Sequence, residues 1–193
     1  MQFPAQNSHC TEIAAEVNEF IEKHQNIKGM AMSLSNTQHW YFAYGSNMST
    51  QQMLQRTGSI PESHIARLNG YRLAFRKYRQ TDEVYADVLP DASKTVLGVA
   101  YKSSQHLLER LDIFEGVAEG CYRRESVQVQ VEETNECIEA VVYLGSIAFS
   151  EIESQPSQEY LDRILAGLRD HHIDSTYVQS VLALARRKHQ QPE

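Results

Sequence analysis

The sequence predicts a mixed α+β domain, a small barrel-like sheet of five to seven strands with helices flanking it at both ends. Three observations predict it. Short runs in the middle of the chain alternate apolar and polar residues, most clearly Val127, Val129 and Val131 against Gln128, Gln130 and Glu132. Turn residues separate such runs, as in Pro90-Asp91-Ala92-Ser93 and Thr134-Asn135, so the strands cluster as hairpins. Helical spacing of apolar residues recurs toward both termini, with shorter instances between the strands.

The elements follow in order. Residues 1–39 are expected to be an N-terminal extension ahead of a domain spanning 40–193. In the extension Ile13, Val17, Phe20 and Ile21 share one face of a helix from Glu12 to His24, with Thr11 as N-cap and Gly29 as stop. That helix could dock on its own domain or on a partner. Residues 40–44 form the first strand. Ser49 and Gln52 have capping-box spacing and open a short helix that ends near Gly58. Ile65 to Arg76 is a strand, bulged at Gly70. Val84–Leu89 and Thr95–Tyr101 are two more strands, joined by the turn at Pro90. Leu107, Leu108, Leu111 and Phe114 mark a helix from Ser104 to Glu115-Gly116. Val127–Val131 pairs with Ile138–Leu144. Pro156 and Ser157 then open a helix with Leu161, Ile164, Leu165 and Leu168 inward, and Asp174 caps a final helix ending in basic residues.

At 193 residues the chain is long enough for one domain with a proper core. Its net charge of −7 argues against general nucleic-acid binding, which needs a basic face. No apolar run approaches a membrane span, and Met1–Cys10 lacks the pattern of a secretory signal. Cys10, Cys121 and Cys137 suit neither a disulfide framework nor a zinc site, so a reducing cytosol is the expected compartment.

Two segments carry chemistry. Trp40-Tyr41-Phe42-Ala43-Tyr44-Gly45-Ser46-Asn47-Met48 is a hydrophobic strand that breaks into Gly-Ser-Asn before a helix. Backbone N–H groups at such a turn lack ladder partners and can converge on a carboxylate, a phosphate or an oxyanion. An ordinary tight turn is the plainer alternative. The second segment places Glu115 at a helix C-terminus, beside Phe114, Gly116 and Val117. The negative end of the helix dipole and apolar neighbours both favour the neutral acid, which predicts a raised pKa and a proton acceptor usable near neutrality. A surface glutamate at a frayed helix end is the alternative.

Taken together, Tyr41–Met48, Glu115-Gly116-Val117 and Gly120-x-Tyr122, with Pro156-Ser157-x-x-Tyr160, resemble the γ-glutamylcyclotransferase-like family over roughly residues 40–170. The resemblance implies a cytosolic, cofactor-free enzyme that releases 5-oxoproline from a small-molecule γ-glutamyl substrate, with no nucleic-acid or membrane partner. It implies Glu115 as catalytic acid/base, Tyr44, Gly45, Ser46 and Asn47 as the substrate loop, and Tyr122 and Tyr160 as tyrosines near the site. A non-catalytic binding or regulatory protein of the same fold is the alternative function. The glutathione-specific branch of the family carries Tyr-Gly-Ser-Leu, and Asn47 argues against that branch. Other candidates are set lower: His171-His172 near Asp174 as a metal pair, Ser46 or Cys121 as nucleophile, and Glu119 or Glu125 as assisting carboxylates.

Overall fold

The computed structural model describes residues 38–187. The helix expected between Glu12 and His24 lies outside the described residues. The described residues form six strands, β1 (Gln38–Ala43), β2 (Ser63–Tyr78), β3 (Val84–Ser104), β4 (Tyr122–Val131), β5 (Cys137–Gly145) and β6 (Phe149–Glu153). Four α-helices accompany them, α1 (Thr50–Thr57), α2 (Gln105–Phe114), α3 (Gln158–Asp170) and α4 (Ser175–Ala185), and a single 3-10 turn covers Ser46–Met48.

The strand order is β3-β1-β5-β4-β2-β6, and β2 pairs with β3 as well. Five strands therefore close into a mixed barrel, with β6 added outside on β2. All pairs are antiparallel except β1–β5, where Trp40 faces Ala140 and Tyr41 faces Val141. Phe42, Leu68, Val96, Val99, Val129 and Val142 are among the buried residues of one continuous core. The helices add Leu107, Leu108 and Leu111 from α2 and Leu161, Ile164 and Leu168 from α3.

Most elements begin where their caps do. The side chains of Ser49, Ser104 and Ser157 accept the N–H groups of Gln52, Leu107 and Tyr160. Asp174 accepts those of Thr176 and Tyr177. Each satisfies a donor that the first helical turn leaves unpaired. Gln52 does not close the reciprocal half of a capping box. Its amide turns toward the preceding loop, onto Ser46 Oγ at 2.8 Å and Asn47 Oδ1 at 3.0 Å.

Two expectations are corrected. Val84–Leu89 and Thr95–Tyr101 are halves of one 21-residue strand. Asn69 faces Thr95 while Tyr71 faces Pro90, so the stretch 91–94 bulges out opposite Gly70, whose φ is +79°. The turn residues near Pro90 and the bulge at Gly70 are thus two sides of one irregularity in a long β2–β3 ribbon, and β4 pairs with the part of β2 that precedes it, at Ala66 and Arg67. The second is β6, a strand absent from the expected elements. Only Phe149 of its residues is buried, so no alternation marks it.

A glycine in α3 positions the site. A Cβ on Gly167 would overlap the backbone of Met48, so this helix rests directly on the 3-10 turn. Among the described residues no helix is long and apolar enough to cross a membrane.

Candidate functional site

β1 runs buried through Tyr41, Phe42 and Ala43 and stops where Gly45 breaks the extended path. Gly45 has φ −115° and ψ −145°, so closeness and not handedness requires it. A Cβ there would stand 3.3 Å from both Ala86 Cβ and the Tyr160 hydroxyl. The first bonds of the 3-10 turn are Met48 N–H to Gly45 O and Ser49 N–H to Ser46 O. The N–H groups of Gly45, Ser46 and Asn47 precede them and have no acceptor among the described residues.

Glu115 arrives from the other side, at the C-terminus of α2. Gly116 there has φ +59°, the N–H of Val117 donates to Asp112 O at 3.0 Å and that of Gly116 to Ile113 O at 3.3 Å. This is the paired-bond helix terminator that a left-handed glycine permits. It turns the chain sharply after Glu115 and fixes the direction of its side chain.

The two features meet. Asn47 Nδ2 donates to Glu115 Oε1 at 2.8 Å and to the Tyr41 hydroxyl at 2.8 Å. Asn47 Oδ1 accepts from Gln52 Nε2 at 3.0 Å and from Arg56 Nη1 at 2.9 Å. Both hydrogens and both lone pairs of the amide are committed, and the donors around Oδ1 fix which way it faces. The Asn47 side chain is therefore a strut, and what it leaves for a ligand is its backbone N–H. Arg56 Nη1 also reaches Glu115 Oε1 at 2.9 Å, with the guanidinium 5.0 Å from the centre of the Phe114 ring. The Glu115 side chain is 14% exposed. Burial pushes its carboxyl pKa up, and Arg56 and the Asn47 amide pull it back down.

A cavity of about 30 Å3 lies between these groups, enough for a water or two. The residues that the family resemblance implied line it: Tyr44, Gly45, Ser46 and Asn47, then Glu115, then Tyr122 and Tyr160. One residue of β3, Ala86, holds the last two tyrosines through its two backbone groups. Tyr122 donates to Ala86 O at 2.7 Å, and the Ala86 N–H donates to the Tyr160 hydroxyl at 3.1 Å. Tyr44 donates to Tyr143 O at 2.5 Å. Burial raises the phenol pKa of Tyr41, Tyr44, Tyr122 and Tyr160, so the wall is neutral and hydroxyl-bearing.

Sequence reasoning missed Tyr41 as a polar contact and missed Tyr143, Ala86 and Arg56 altogether. Gln52 and Arg56 stand four apart on α1, on the face that follows the Gly-Ser-Asn turn. That spacing is the one signal from which Arg56 could have been found.

The lower-ranked candidates have other occupations. Ser46 Oγ accepts from Gln52 Nε2. Cys121 Sγ donates to the Tyr78 hydroxyl at 3.0 Å. Glu125 pairs with Arg123 at the surface, and Glu119 is exposed. His171 ends α3, with Nε2 3.0 Å from the Tyr101 hydroxyl and 3.1 Å from Met48 O. His172 follows with φ +54°. No three His, Cys, Asp or Glu side chains among the described residues form a metal-binding group.

Residues 41–162 match the family model described as gamma-glutamyl cyclotransferase, AIG2-like. The chain is 29% identical over 150 residues to the gamma-glutamylcyclotransferase of Homo sapiens, covering 75% of this chain and 77% of that one. It is 30% identical over 143 residues to that of Bos taurus, covering 71% and 73%. A solved structure of a gamma-glutamyl cyclotransferase superposes with a TM-score of 0.71 at 26% identity, over 81% of this chain and 93% of that one.

Proposed function

Since the chain belongs to the gamma-glutamyl cyclotransferase, AIG2-like family, we propose that it releases 5-oxoproline from a γ-glutamyl amino acid or amine, with Glu115 as general acid/base. The observation that supports this reading is the 2.8 Å contact between the Asn47 side chain and Glu115, which puts the carboxylate and the Gly45-Ser46-Asn47 turn on the wall of one cavity.

The chemistry asks little of the protein. A γ-glutamyl group carries its own nucleophile, the α-amine, and that amine reaches its own γ-carbonyl to close a five-membered lactam. The α-ammonium first gives a proton to Glu115. The amine then attacks, forming the ring C–N bond and a tetrahedral oxyanion. Collapse breaks the C–N bond to the leaving amine, which takes the proton back from Glu115. The ring nitrogen then gives its second proton to Glu115, which passes it to the departing amine, so that the products are the neutral lactam and an ammonium and Glu115 is a carboxylate again. No cofactor, metal or enzyme nucleophile enters, and the reaction suits a cytosolic setting.

The N–H groups of Gly45, Ser46 and Asn47 hold either the α-carboxylate or the oxyanion. Tyr44, Tyr122 and Tyr160 wall the folded substrate without adding charge. Holding amine and carbonyl in attacking geometry is worth up to about 7–11 kcal/mol in ideal intramolecular cases. Asn47 also bears on substrate class. A leucine at that position, as in the glutathione-specific pattern, makes no bond to Glu115, so the carboxylate here is held differently, in favour of other γ-glutamyl compounds.

The test is a panel of γ-glutamyl amino acids and amines, γ-glutamyl-alanine first, assayed for 5-oxoproline with Glu115→Gln as control. Turnover is expected with the native chain and a loss of about 10²–10⁴-fold in the variant. A Glu115→Gln protein that turns over at the native rate removes Glu115 from the mechanism. A native chain that binds the panel without releasing 5-oxoproline favours a non-catalytic binding protein.

A further inference from the structure

Resting on that reading of the site, we propose that Arg56 is its positioning residue: one guanidinium nitrogen ties the Gly-Ser-Asn turn to the catalytic carboxylate, favours the ionised form of that carboxylate, and leaves Oε2 as the atom that exchanges protons with substrate.

The geometry behind this is asymmetric. Glu115 Oε1 accepts from both Asn47 Nδ2 and Arg56 Nη1, at 2.8 and 2.9 Å. Oε2 accepts from nothing among the described residues. Glu115 lines the cavity and Arg56 does not, so Arg56 acts on a substrate only through Glu115 and Asn47. Its position is itself held. The side chain is 22% exposed and lies over Phe114, the residue before Glu115 on the same helix. The Arg56 carbonyl takes a bond from Arg110 Nε of α2 at 3.0 Å, which locks the two helices together at this point.

The charges around Glu115 leave Arg56 without a substitute. From β1 and the turn come Tyr41 and Tyr44, both held neutral by burial. Tyr122 of β4 and Tyr160 of α3 are held neutral in the same way. Asp112, one turn back on α2, is the other nearby carboxylate, and Arg124 of β4 binds it at 2.6 Å for each oxygen. Tyr143 of β5 donates to the same carboxylate at 2.8 Å. Among the described residues Arg56 is thus the cation in contact with Glu115. Without it, only the Asn47 amide opposes burial and the carboxyl stays protonated to higher pH, where it cannot accept the proton of an α-ammonium.

The experiment compares the native chain, Arg56→Gln and Arg56→Lys by two readouts. One is the pH profile of kcat/KM for γ-glutamyl-alanine. The other is the titration of the Glu115 carboxyl by carbon-13 NMR, assigned with Glu115→Gln. In Arg56→Gln the acid limb and the carboxyl titration are both expected to move up by about 1–3 pH units. In Arg56→Lys, which keeps the charge, most of that shift is expected to disappear. An unmoved Glu115 titration in Arg56→Gln overturns the proposal whether or not the protein turns over. So does a loss of rate that is uniform across pH, and so does an Arg56→Lys profile that matches the Gln variant. Absence of 5-oxoproline from the native chain speaks against the cyclotransferase reading instead, and the NMR titration still decides the role of Arg56.

Discussion

Asn47 Nδ2 stands 2.8 Å from Glu115 Oε1, 68 residues apart in sequence, and the side-chain amide of the asparagine has no hydrogen-bonding capacity left over for a ligand. Its amide receives Gln52 and Arg56 on one side and gives to Tyr41 and Glu115 on the other. Asn47→Leu is therefore expected to do more than remove a contact. It leaves Gln52 Nε2 short of an acceptor in a buried place, at a cost of about 1–3 kcal/mol in unfolding free energy. 5-Oxoproline release should fall at least about tenfold as the carboxylate loses its strut. Denaturant unfolding and turnover of the same preparation check both parts, and a variant with native values of each would remove the strut role.

Glu115 should carry a stability cost at neutral pH. Burial raises its folded-state pKa above that of the unfolded chain, so the unfolded chain ionises first as pH rises. Below the unfolded value of about 4.3 both states hold the proton, and Glu115→Gln should match the native melting temperature. As pH rises through that value and on through the raised folded value, the native protein should lose stability relative to the variant, and the difference should then level off. Thermal melts of the two proteins from pH 4 to 8 test this. A Gln variant that is less stable than native at pH 8 would mean that Arg56 and Asn47 outweigh burial.

Gly116→Ala combines two penalties. The left-handed φ of +59° costs a side chain about 1–2 kcal/mol, and the new Cβ would sit 2.8 Å from Cys121 Sγ. Relief requires the chain after Glu115 to move, and that movement redirects the carboxylate. A drop in melting temperature accompanied by a fall in kcat is expected. An Ala variant with lowered stability and native kcat would show that the turn tolerates displacement.

Asp87 and Arg76 form a buried pair behind the site, with Asp87 Oδ2 2.6 Å from Arg76 Nη1 and Asp87 Oδ1 accepting the Gly145 N–H at 2.9 Å. The Asp87 residue is 1% exposed and adjoins Ala86, whose backbone N–H and C=O anchor Tyr160 and Tyr122. Asp87→Leu leaves Arg76 buried without its partner and should cost about 3–5 kcal/mol. The double variant Asp87→Leu/Arg76→Met should recover a large part of that loss. Urea unfolding of the single and double variants measures the coupling, and strictly additive losses would contradict it.

Local signals along the chain were legible where neighbours in sequence decide the outcome. Ser49, Ser104, Ser157 and Asp174 each cap the helix that their position foretold, because a cap answers donors two or three residues away. The alternation of Val127, Val129 and Val131 placed β4, because a strand with one buried face repeats every second residue. The β2–β3 ribbon was harder. A turn signature at Pro90–Ser93 looks the same in sequence whether the chain reverses there or bulges within one strand, and only pairing across β2 decides. The edge strand β6 carries too little burial to leave a pattern.

By itself the sequence determined that a glycine turn follows a buried strand and that a glutamate ends an amphipathic helix, and the resemblance of those two segments to a known family linked them to one chemistry. Only the tertiary structure decided that barrel closure brings them within hydrogen-bonding reach, and that Arg56 stands between them. The physical reason is range. Caps, periodicity and glycine handedness are settled within a few residues, whereas the charge and direction of a buried carboxylate are settled by whichever distant side chains share its cavity, and those partners leave no mark near it in the chain.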